Sequence, residues 1–337
     1  MRFLIAGAGA IGATIGSRMS RDGQDVVLFA RGPHYRAMKE KGVRVFGVGE
    51  GAEDFMAHPE VVDDLEKAGK ADVVFLGVKA HSLTDLAPKL RPVTGPSTVF
   101  VSSQNGIPWW YFQRHGGPFE GRRVESVDPD GAILRAIDPR RIVGCVVYPA
   151  CELAAPGTIR HIEGDRFPLG ELDGAETERV VRLAEAFDRA GLKAPVLTDV
   201  RAEIWLKLWG NLTFNPISAL THSTLVDICQ YPLTRELATN MMREAESVAN
   251  RLGITFRVSI EKRIAGAERV GKHKTSMLQD VEAGRDPEID ALVGAVIELG
   301  RLTGTPTPHI DAAHALVKLL GRTMQEERVS VRAHRAV

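Results

Sequence analysis

The N-terminal stretch RFLIAGAGAIG, residues 2–12, limits the possible folds more than any other part of the sequence. An apolar run leads into the glycines Gly7, Gly9 and Gly12, and a helical pattern follows them. A strand, a GxGxxG turn and a helix in this order are typical of a dinucleotide-binding unit, because the glycines permit a tight turn and let a pyrophosphate approach the helix N-terminus. We therefore predict that this turn binds a dinucleotide through Gly7, Ala8, Gly9, Ala10, Ile11 and Gly12.

The second strand of this unit, DVVLFA, is followed by a basic residue instead of an acidic one. In an NAD-binding unit, an Asp or Glu at this position binds the ribose 2′-hydroxyl. Arg31 stands there instead, and a guanidinium can pair with a 2′-phosphate that a carboxylate would repel. The sequence therefore predicts NADP as the cofactor, and a solvated surface arginine is the alternative interpretation.

The distribution of strand and helix patterns predicts two domains. Continuous apolar strands alternate with helices over residues 1–198, which indicates a Rossmann-type, mainly parallel sheet covered by helices on both faces. Helical spacing dominates residues 199–325, and residues 326–337 are expected to be a flexible tail. The predicted fold class is thus α/β plus all-α, with an irregular insertion between Gly116 and Asp138.

Charge and composition argue against several classes of protein. The chain has 43 basic and 43 acidic residues, so no overall field attracts nucleic acid or an anionic membrane. No apolar run approaches the ~20 residues of a membrane span or fits a signal peptide. Three cysteines are too few for a disulfide framework, which favours a reducing compartment. We expect a cytoplasmic protein without nucleic-acid or membrane partners and without a metal site.

Two polar residues follow the ends of predicted parallel strands. Lys79 comes after DVVFLGV, and Asn105 comes after STVFVSSQ. Open α/β sheets bind ligands at the carboxyl ends of their strands. The joint placement of the two residues therefore favours a role in binding cofactor or substrate over an ordinary loop position.

The stretch WLKLWGNLTFNP carries one lysine and two asparagines among large apolar residues. In a helix, Lys207, Asn211 and Asn215 are spaced i, i+4 and i+8, so their side chains form one stripe. The stripe can line a polar site. Alternatively, Lys207 extends its charged end to water and the asparagines cap or kink the helix, since Pro216 follows the last of them.

Two segments nearer the C-terminus carry helix-start signals. Ser276 and Gln279 form a capping-box pattern in KTSMLQD. In RDPEID, Asp286 has the place of an N-cap, Pro287 the first helical position and Glu288 the first turn. From these patterns alone, the polar residues could serve only to start helices.

These segments together resemble the ketopantoate reductases (2-dehydropantoate 2-reductases) of the 6-phosphogluconate dehydrogenase-like superfamily. The resemblance rests on the glycine motif with Arg31 and on VFLGVKAHS, SSQNGI, WLKLWGNLTFNP and KTSMLQDVEAGRDPEID, in the family's order. It covers most of the chain and implies NADPH-dependent reduction of ketopantoate to pantoate, a step towards pantothenate and coenzyme A.

The resemblance also implies roles for individual residues. Lys207 matches the catalytic lysine, which donates a proton to the ketone oxygen. Asn211 and Asn215 match substrate-binding asparagines, and Ser276 matches a serine that holds the substrate carboxylate. The other matches are Glu288, an acidic residue associated with substrate and cofactor; Asn105, near the nicotinamide ribose and the substrate; Lys79, on the cofactor side; and Ala150, which touches the cofactor.

Three departures from the family pattern leave the substrate open. The NG loop continues as NGIPWWYF, the insertion after Gly116 is long, and Leu225 stands near the place of a further substrate-binding asparagine. The four aromatic residues are expected to pack in the core or at a subunit contact, or else to form a substrate wall. A bulkier 2-oxo acid is therefore an alternative substrate, a non-catalytic NADP-binding sensor is an alternative of another class, and a homodimer is compatible with the sequence.

Overall fold

The computed structural model describes residues 1–49 and 52–333. The chain forms two compact units. The first consists of Met1–Asn105, Trp109–Arg123 and Asp130–Val200, and the second of Gly106–Pro108, Val124–Pro129 and the chain from Arg201 onward. The last four residues of the predicted tail, 334–337, lie outside the described residues.

The strands all belong to the first unit and form two sheets. In chain order they are β1 (Arg2–Ala6), β2 (Asp25–Phe29), β3 (Val43–Gly47), β4 (Asp54–Ala57), β5 (Glu60–Val62), β6 (Ala71–Leu76), β7 (Thr94–Ser102), β8 (Ile142–Cys145), β9 (Ala150–Ala155), β10 (Thr158–Glu163) and β11 (Leu169–Glu171).

The larger sheet has the strand order β11-β8-β7-β6-β1-β2-β5. Every pair from β8 to β5 is parallel, and only β11 at the edge is antiparallel. The interior strand β1 is buried from Phe3 to Ala6, as expected for a strand covered on both faces. The predicted Rossmann-type parallel sheet is thus confirmed.

A second sheet contains four strands, in the order β4-β3-β10-β9. Within it, β10 runs parallel to β3, and the other two pairs are antiparallel. The predicted strands of residues 157–172 are therefore divided between the sheets, with β10 in the smaller and β11 in the larger. The glycine at the β9–β10 turn, Gly157, has a φ of +75°.

Helices cover the larger sheet and make up most of the second unit. Those of the first unit are α1 (Ala10–Arg21), α2 (Gly32–Lys41), α3 (Ala80–Leu86), α4 (Ala132–Ala136) and α5 (Glu178–Arg189). They are followed by α6 (Val200–Thr221), α7 (Leu225–Gln230), α8 (Pro232–Arg251), α9 (Ile260–Val270), α10 (Ser276–Glu282), α11 (Ala295–Thr303) and α12 (Pro308–Glu326). Within the described ranges, no helix has the length and apolar character needed to cross a bilayer.

Helix α6 belongs to the second unit from Arg201 onward and continues through Pro216. Trp205 and Trp209 are fully buried. The indole N–H of Trp209 donates to the carbonyl of Met242 on α8 at 2.8 Å, and its ring stacks on Phe256 with centroids 4.0 Å apart. Because the indole has a hydrogen-bond partner, the large ring is buried without an unsatisfied donor.

The predicted start of the RDPEID helix is wrong by a few residues. Pro287 and Glu288 are not helical, and a π-helical turn, Asp290–Gly294, leads into α11. The Asp290 carboxylate binds His314 at 3.1 Å and Lys318 at 2.9 Å, both on α12. These tertiary contacts favour a helix start at this carboxylate over the start that the local N-cap pattern predicts.

The chain beyond α12 turns back along the second unit. The N–H of Val329 donates to the carbonyl of Met324, and Nε of Arg332 donates to the carbonyl of Glu282 at 2.6 Å. Residues 327–333 thus return to the end of α10.

Candidate functional site

The glycine-rich turn between β1 and α1 is shaped by close approaches of its backbone. Gly7 has a φ of +112°, and a Cβ there would lie 2.5 Å from a methyl group of Val78. A Cβ at Gly12 would overlap the carbonyl oxygen of Gly7. At Gly9, in contrast, a Cβ would meet no atom within 4 Å. Two glycines are therefore required by packing, and the middle one leaves the outer face of the turn open to a ligand.

The turn is also held by hydrogen bonds to the backbone of Ala8. Its N–H donates to the carbonyl of Phe29, at the end of β2, at 2.9 Å. Its carbonyl oxygen lies 2.8 Å from Nε2 of His34, whose Nδ1 accepts from the N–H of Gly157 at 2.9 Å. Burial lowers the pKa of His34 below its ordinary 6.5, which keeps the ring neutral.

A cleft of about 1140 Å³ opens beside this turn in the first unit. Of the predicted cofactor residues, it is lined by Gly7, Ala8, Gly9, Arg31 and Lys79. Arg31 is exposed at the N-cap of α2, and Lys79 occupies the N-cap of α3. The structure therefore brings the glycine turn and two predicted cations to one cleft at the carboxyl ends of β1, β2 and β6.

Other predicted cofactor residues lie outside the lining of this cleft. Ala10, Ile11 and Gly12 form the first turn of α1, next to the glycine turn. Ala150 begins β9 in the smaller sheet, where it pairs with Glu163. The position of Ala150 depends on strand pairing in the smaller sheet, which the sequence around Ala150 does not predict.

Acidic side chains also line the cleft, although the sequence patterns did not single them out. Asp63 and Asp64 directly follow β5, and Glu66 comes two residues later. Asp64 accepts from the N–H of Glu66 at 3.0 Å and so caps a short 3₁₀ turn, Leu65–Lys67. The signal in the sequence is a short apolar run followed by an N-cap residue, in EVVDDLE.

Gln104, in SSQNGI, ties the end of β7 to the end of β6. Its amide nitrogen donates to the carbonyls of Leu76 and Val78 at 2.7 and 3.1 Å. The hydroxyl of Ser103 donates to Leu76 as well, at 2.9 Å. The residue that follows, Asn105, is therefore attached to a loop with a fixed backbone, although it is not among the residues lining the cleft.

In the second unit, helix α6 has one open face. Every residue from Leu208 to Ala219 is buried except Asn211, which is half-buried like Lys207 one turn earlier. A half-buried lysine and amide on a helix that is otherwise enclosed can meet a ligand without leaving the protein interior. This arrangement favours the polar-site interpretation of the stripe.

The third member of the stripe contacts another predicted residue. Asn215 is buried, and its amide nitrogen lies 3.5 Å from the hydroxyl of Ser276, at the start of α10. The predicted capping role of Ser276 is wrong, because Thr275 is the N-cap and accepts from the N–H of Leu278. The exposed hydroxyl of Ser276 is thus not used to cap α10.

A further cation, Arg263, lies near the stripe, next to Gly210, and the sequence patterns did not predict it. The guanidinium of Arg263, on α9, lies so close to Gly210 that a Cβ there would overlap it. Glycine is unfavourable inside a helix, so its presence next to Asn211 was the available signal of a close approach.

Glu288 is half-buried and precedes the π-helical turn. The glycine of the NGI segment packs on the same turn, since Gly106 has a φ of +93° and a Cβ there would overlap the carbonyl of Ala291. The N–H of Ile107 donates to that carbonyl at 2.9 Å. A π turn is a frequent feature of functional sites, and here it fixes the segment that follows Glu288.

Comparison with known proteins identifies the family. The description "Ketopantoate reductase PanE/ApbA" belongs to the family profile that matches residues 3–113, and the profile of its C-terminal part matches residues 199–321. The chain belongs to the ketopantoate reductase family.

Individual relatives agree with this assignment. A 2-dehydropantoate 2-reductase from Mesorhizobium japonicum is 52% identical over 95% of this chain and 98% of its own length. A provisionally assigned ketopantoate reductase from Ralstonia solanacearum MolK2 has 39% identity and a TM-score of 0.90, over 96% of this chain and 98% of that one. The 2-dehydropantoate 2-reductase of Geobacter metallireducens GS-15 has 26% identity and a TM-score of 0.82, over 95% and 99% of the two chains.

The four aromatic residues of the NGIPWWYF segment are part of the core. Trp109, Trp110, Tyr111 and Phe112 are each at most 2% exposed. The ring of Trp110 lies against Gly144, where a Cβ would come within 3.0 Å of it. Core packing is therefore confirmed for these side chains, and they form no exposed wall.

Proposed function

We propose that the protein reduces ketopantoate to pantoate with NADPH as the reductant. The observation that carries the proposal is the open face of α6, where Lys207 and Asn211 are half-buried and Asn215 contacts Ser276. These residues occur together in a chain of the ketopantoate reductase family. Its relative from Mesorhizobium japonicum is named a 2-dehydropantoate 2-reductase.

The first unit offers a fitting site for a dinucleotide. Gly9 leaves the outer face of the turn open, and the first turn of α1 has N–H groups that no earlier helical carbonyl accepts. Arg31 lines the same cleft with an exposed guanidinium. A guanidinium at this position pairs with a 2′-phosphate, which supports NADPH over NADH.

The reaction needs a proton at the oxygen that is being reduced. NADPH held by the first unit would supply the hydride for the carbonyl carbon, whose π bond to oxygen breaks in the reduction. The negative charge that develops on the oxygen is then neutralised by a proton from the ammonium group of Lys207. The lysine regains its proton from solvent, so two electrons and two protons in total convert the ketone to an alcohol.

The substrate is an anion, and neutral polar groups can hold it. In our proposal, the hydroxyl of Ser276 binds the substrate carboxylate, and the amides of Asn211 and Asn215 orient the rest of the molecule. Asn105 and Glu288 contribute at the side of the nicotinamide, with Lys79 on the cofactor side. The burial of all four NGIPWWYF aromatics removes the main reason to prefer a bulkier substrate.

The test is a screen of NADPH and NADH against ketopantoate and a set of 2-oxo acids with larger side chains. We expect the highest kcat/KM with NADPH and ketopantoate. A higher kcat/KM with a bulkier acid would mean that this acid, and not ketopantoate, is the substrate, with the reaction class unchanged. Tight NADPH binding without oxidation by any acid of the set would favour a non-catalytic sensor.

A further inference from the structure

The ring of His34 bridges two backbone segments of the first unit. A backbone N–H can only donate, so Nδ1 of His34 must accept from Gly157, in the β9–β10 turn. The proton of the neutral ring is therefore on Nε2, which donates to the carbonyl of Ala8 in the glycine-rich turn. Both nitrogens are used, and the tautomer is set by the fold.

Fixing the Ala8 carbonyl also fixes the neighbouring amide group. The carbonyl of Ala8 and the N–H of Gly9 belong to one planar trans peptide unit, so their directions are coupled. The N–H of Ala8 is held as well, by the carbonyl of Phe29. Gly9 is the position at which the turn is open to a ligand. The contacts of Ala8 thus determine where the N–H of Gly9 points.

His34 lies on the same helical turn as the cation expected to bind the 2′-phosphate. Arg31 is the N-cap of α2 and His34 is the third residue of that helix, a spacing of i and i+3 that places both on one face. Both line the cleft. The imidazole therefore connects the part of the cleft that carries Arg31 to the glycine-rich turn.

We propose that His34 is a positioning residue for the cofactor, which holds the Ala8–Gly9 peptide in the orientation that binds the pyrophosphate. This inference rests on the proposed function, because the ligand it concerns is the dinucleotide. His34 acts through the peptide unit and not through the 2′-phosphate, so its loss should weaken NADPH and NADH alike.

Three substitutions separate the two hydrogen bonds of the ring. His34→Phe keeps a ring and removes both bonds. His34→Gln places an amide N–H near the position of Nε2 and keeps the donor to Ala8, whereas His34→Asn places an oxygen near Nδ1 and keeps only the acceptor for Gly157. Dissociation constants for NADPH and NADH are measured without a 2-oxo acid, and amide exchange is measured over residues 4–15 of the unliganded protein.

We expect His34→Phe to weaken both cofactors about three- to tenfold, the effect of one or two lost neutral hydrogen bonds, and to speed exchange in the glycine-rich turn. His34→Asn should resemble His34→Phe, and His34→Gln should remain close to the wild type. In steady-state assays the loss should appear in the cofactor KM, with kcat at saturating cofactor unchanged.

Two control variants test whether weaker cofactor binding is specific to His34. His161, on β10, also contacts a carbonyl, that of Gly164, at 2.6 Å but does not line the cleft, so His161→Phe should leave both dissociation constants unchanged. Arg31→Ala should weaken NADPH and spare NADH. Unchanged cofactor binding or unchanged exchange in His34→Phe would overturn the inference, as would equal losses in His34→Gln and His34→Phe. A wild-type protein that binds neither cofactor would instead overturn the proposed function.

Discussion

At the scale of single residues, adjacent polar residues of similar chemistry make different contacts. Ser276 and Thr275 are adjacent hydroxyl residues, yet only Thr275 caps α10. Ser276 is exposed and faces the amide of Asn215. Two neighbouring residues of similar chemistry thus have different expected roles, one in stability and one in binding.

This difference can be measured with a matched pair of variants. Thr275→Ala should lower the free energy of unfolding by about 1 kcal/mol, because the N–H of Leu278 loses its acceptor. Ser276→Ala should leave stability nearly unchanged and raise KM for ketopantoate about tenfold, because the proposed hydrogen bond to the substrate carboxylate would be lost. Urea unfolding and initial-rate kinetics give the two quantities. Equal effects of both variants on KM would remove the binding role of Ser276.

His34 provides a pH-dependent contribution to stability. Its native pKa is lowered by burial below the ordinary 6.5, so the unfolded chain binds more protons as the pH falls below that value. The direct contacts of the ring are the backbone groups of Ala8 and Gly157, while the cations Arg31 and Lys79 and the acids Asp63, Asp64 and Glu66 line the same cleft.

The stabilisation from His34 is therefore complete above about pH 7 and decreases as the pH falls through 6.5 towards the native pKa. We expect the difference in unfolding free energy between the wild type and His34→Phe to shrink between about pH 8 and pH 5. Urea titrations at a series of pH values test this. If the difference in unfolding free energy stays constant or grows on acidification, His34 is not a neutral ring held by two hydrogen bonds.

At the scale of elements, local pattern and tertiary contact determine different parts of the structure. The β1 strand, the glycine turn and α1 were predictable because their signals lie within one continuous stretch, residues 2–21. The smaller sheet was not, since β10 pairs with β3 across more than a hundred residues. The stripe on α6 was predictable from helical spacing, whereas its contact with Ser276 required the packing of α10.

The NGI loop offers a test of an element that tertiary contact defines. Gly106 combines a positive φ with a close approach to the carbonyl of Ala291 on the π turn. Gly106→Ala should therefore destabilise the protein by about 2 kcal/mol or more, since strain and overlap act together. Gly23, with a φ of +79° and no atom near its Cβ position, is the matched control, and Gly23→Ala should cost less. Similar losses from both variants would show that packing on the π turn contributes little.

At the scale of the whole molecule, ligand binding should be visible in stability. A ligand that binds only the native state stabilises it by about 2.7 kcal/mol at one hundred times its dissociation constant. At equal concentrations, NADPH should raise Tm more than NADH does if, as proposed, Arg31 pairs with the 2′-phosphate. Arg31→Ala should abolish the difference between the cofactors. A larger shift with NADH in the wild type would contradict the assignment of NADPH.

In the proposed mechanism, Lys207 supplies the proton in ketopantoate reduction. The most direct measurement is ketopantoate-dependent NADPH oxidation, with pantoate quantified, for the wild type and Lys207→Met, in parallel with NADPH binding by both. We predict pantoate formation by the wild type and a kcat about 10²- to 10⁴-fold lower in Lys207→Met, with NADPH binding retained. A Lys207→Met variant that forms pantoate at the wild-type rate would show that Lys207 is not the proton donor.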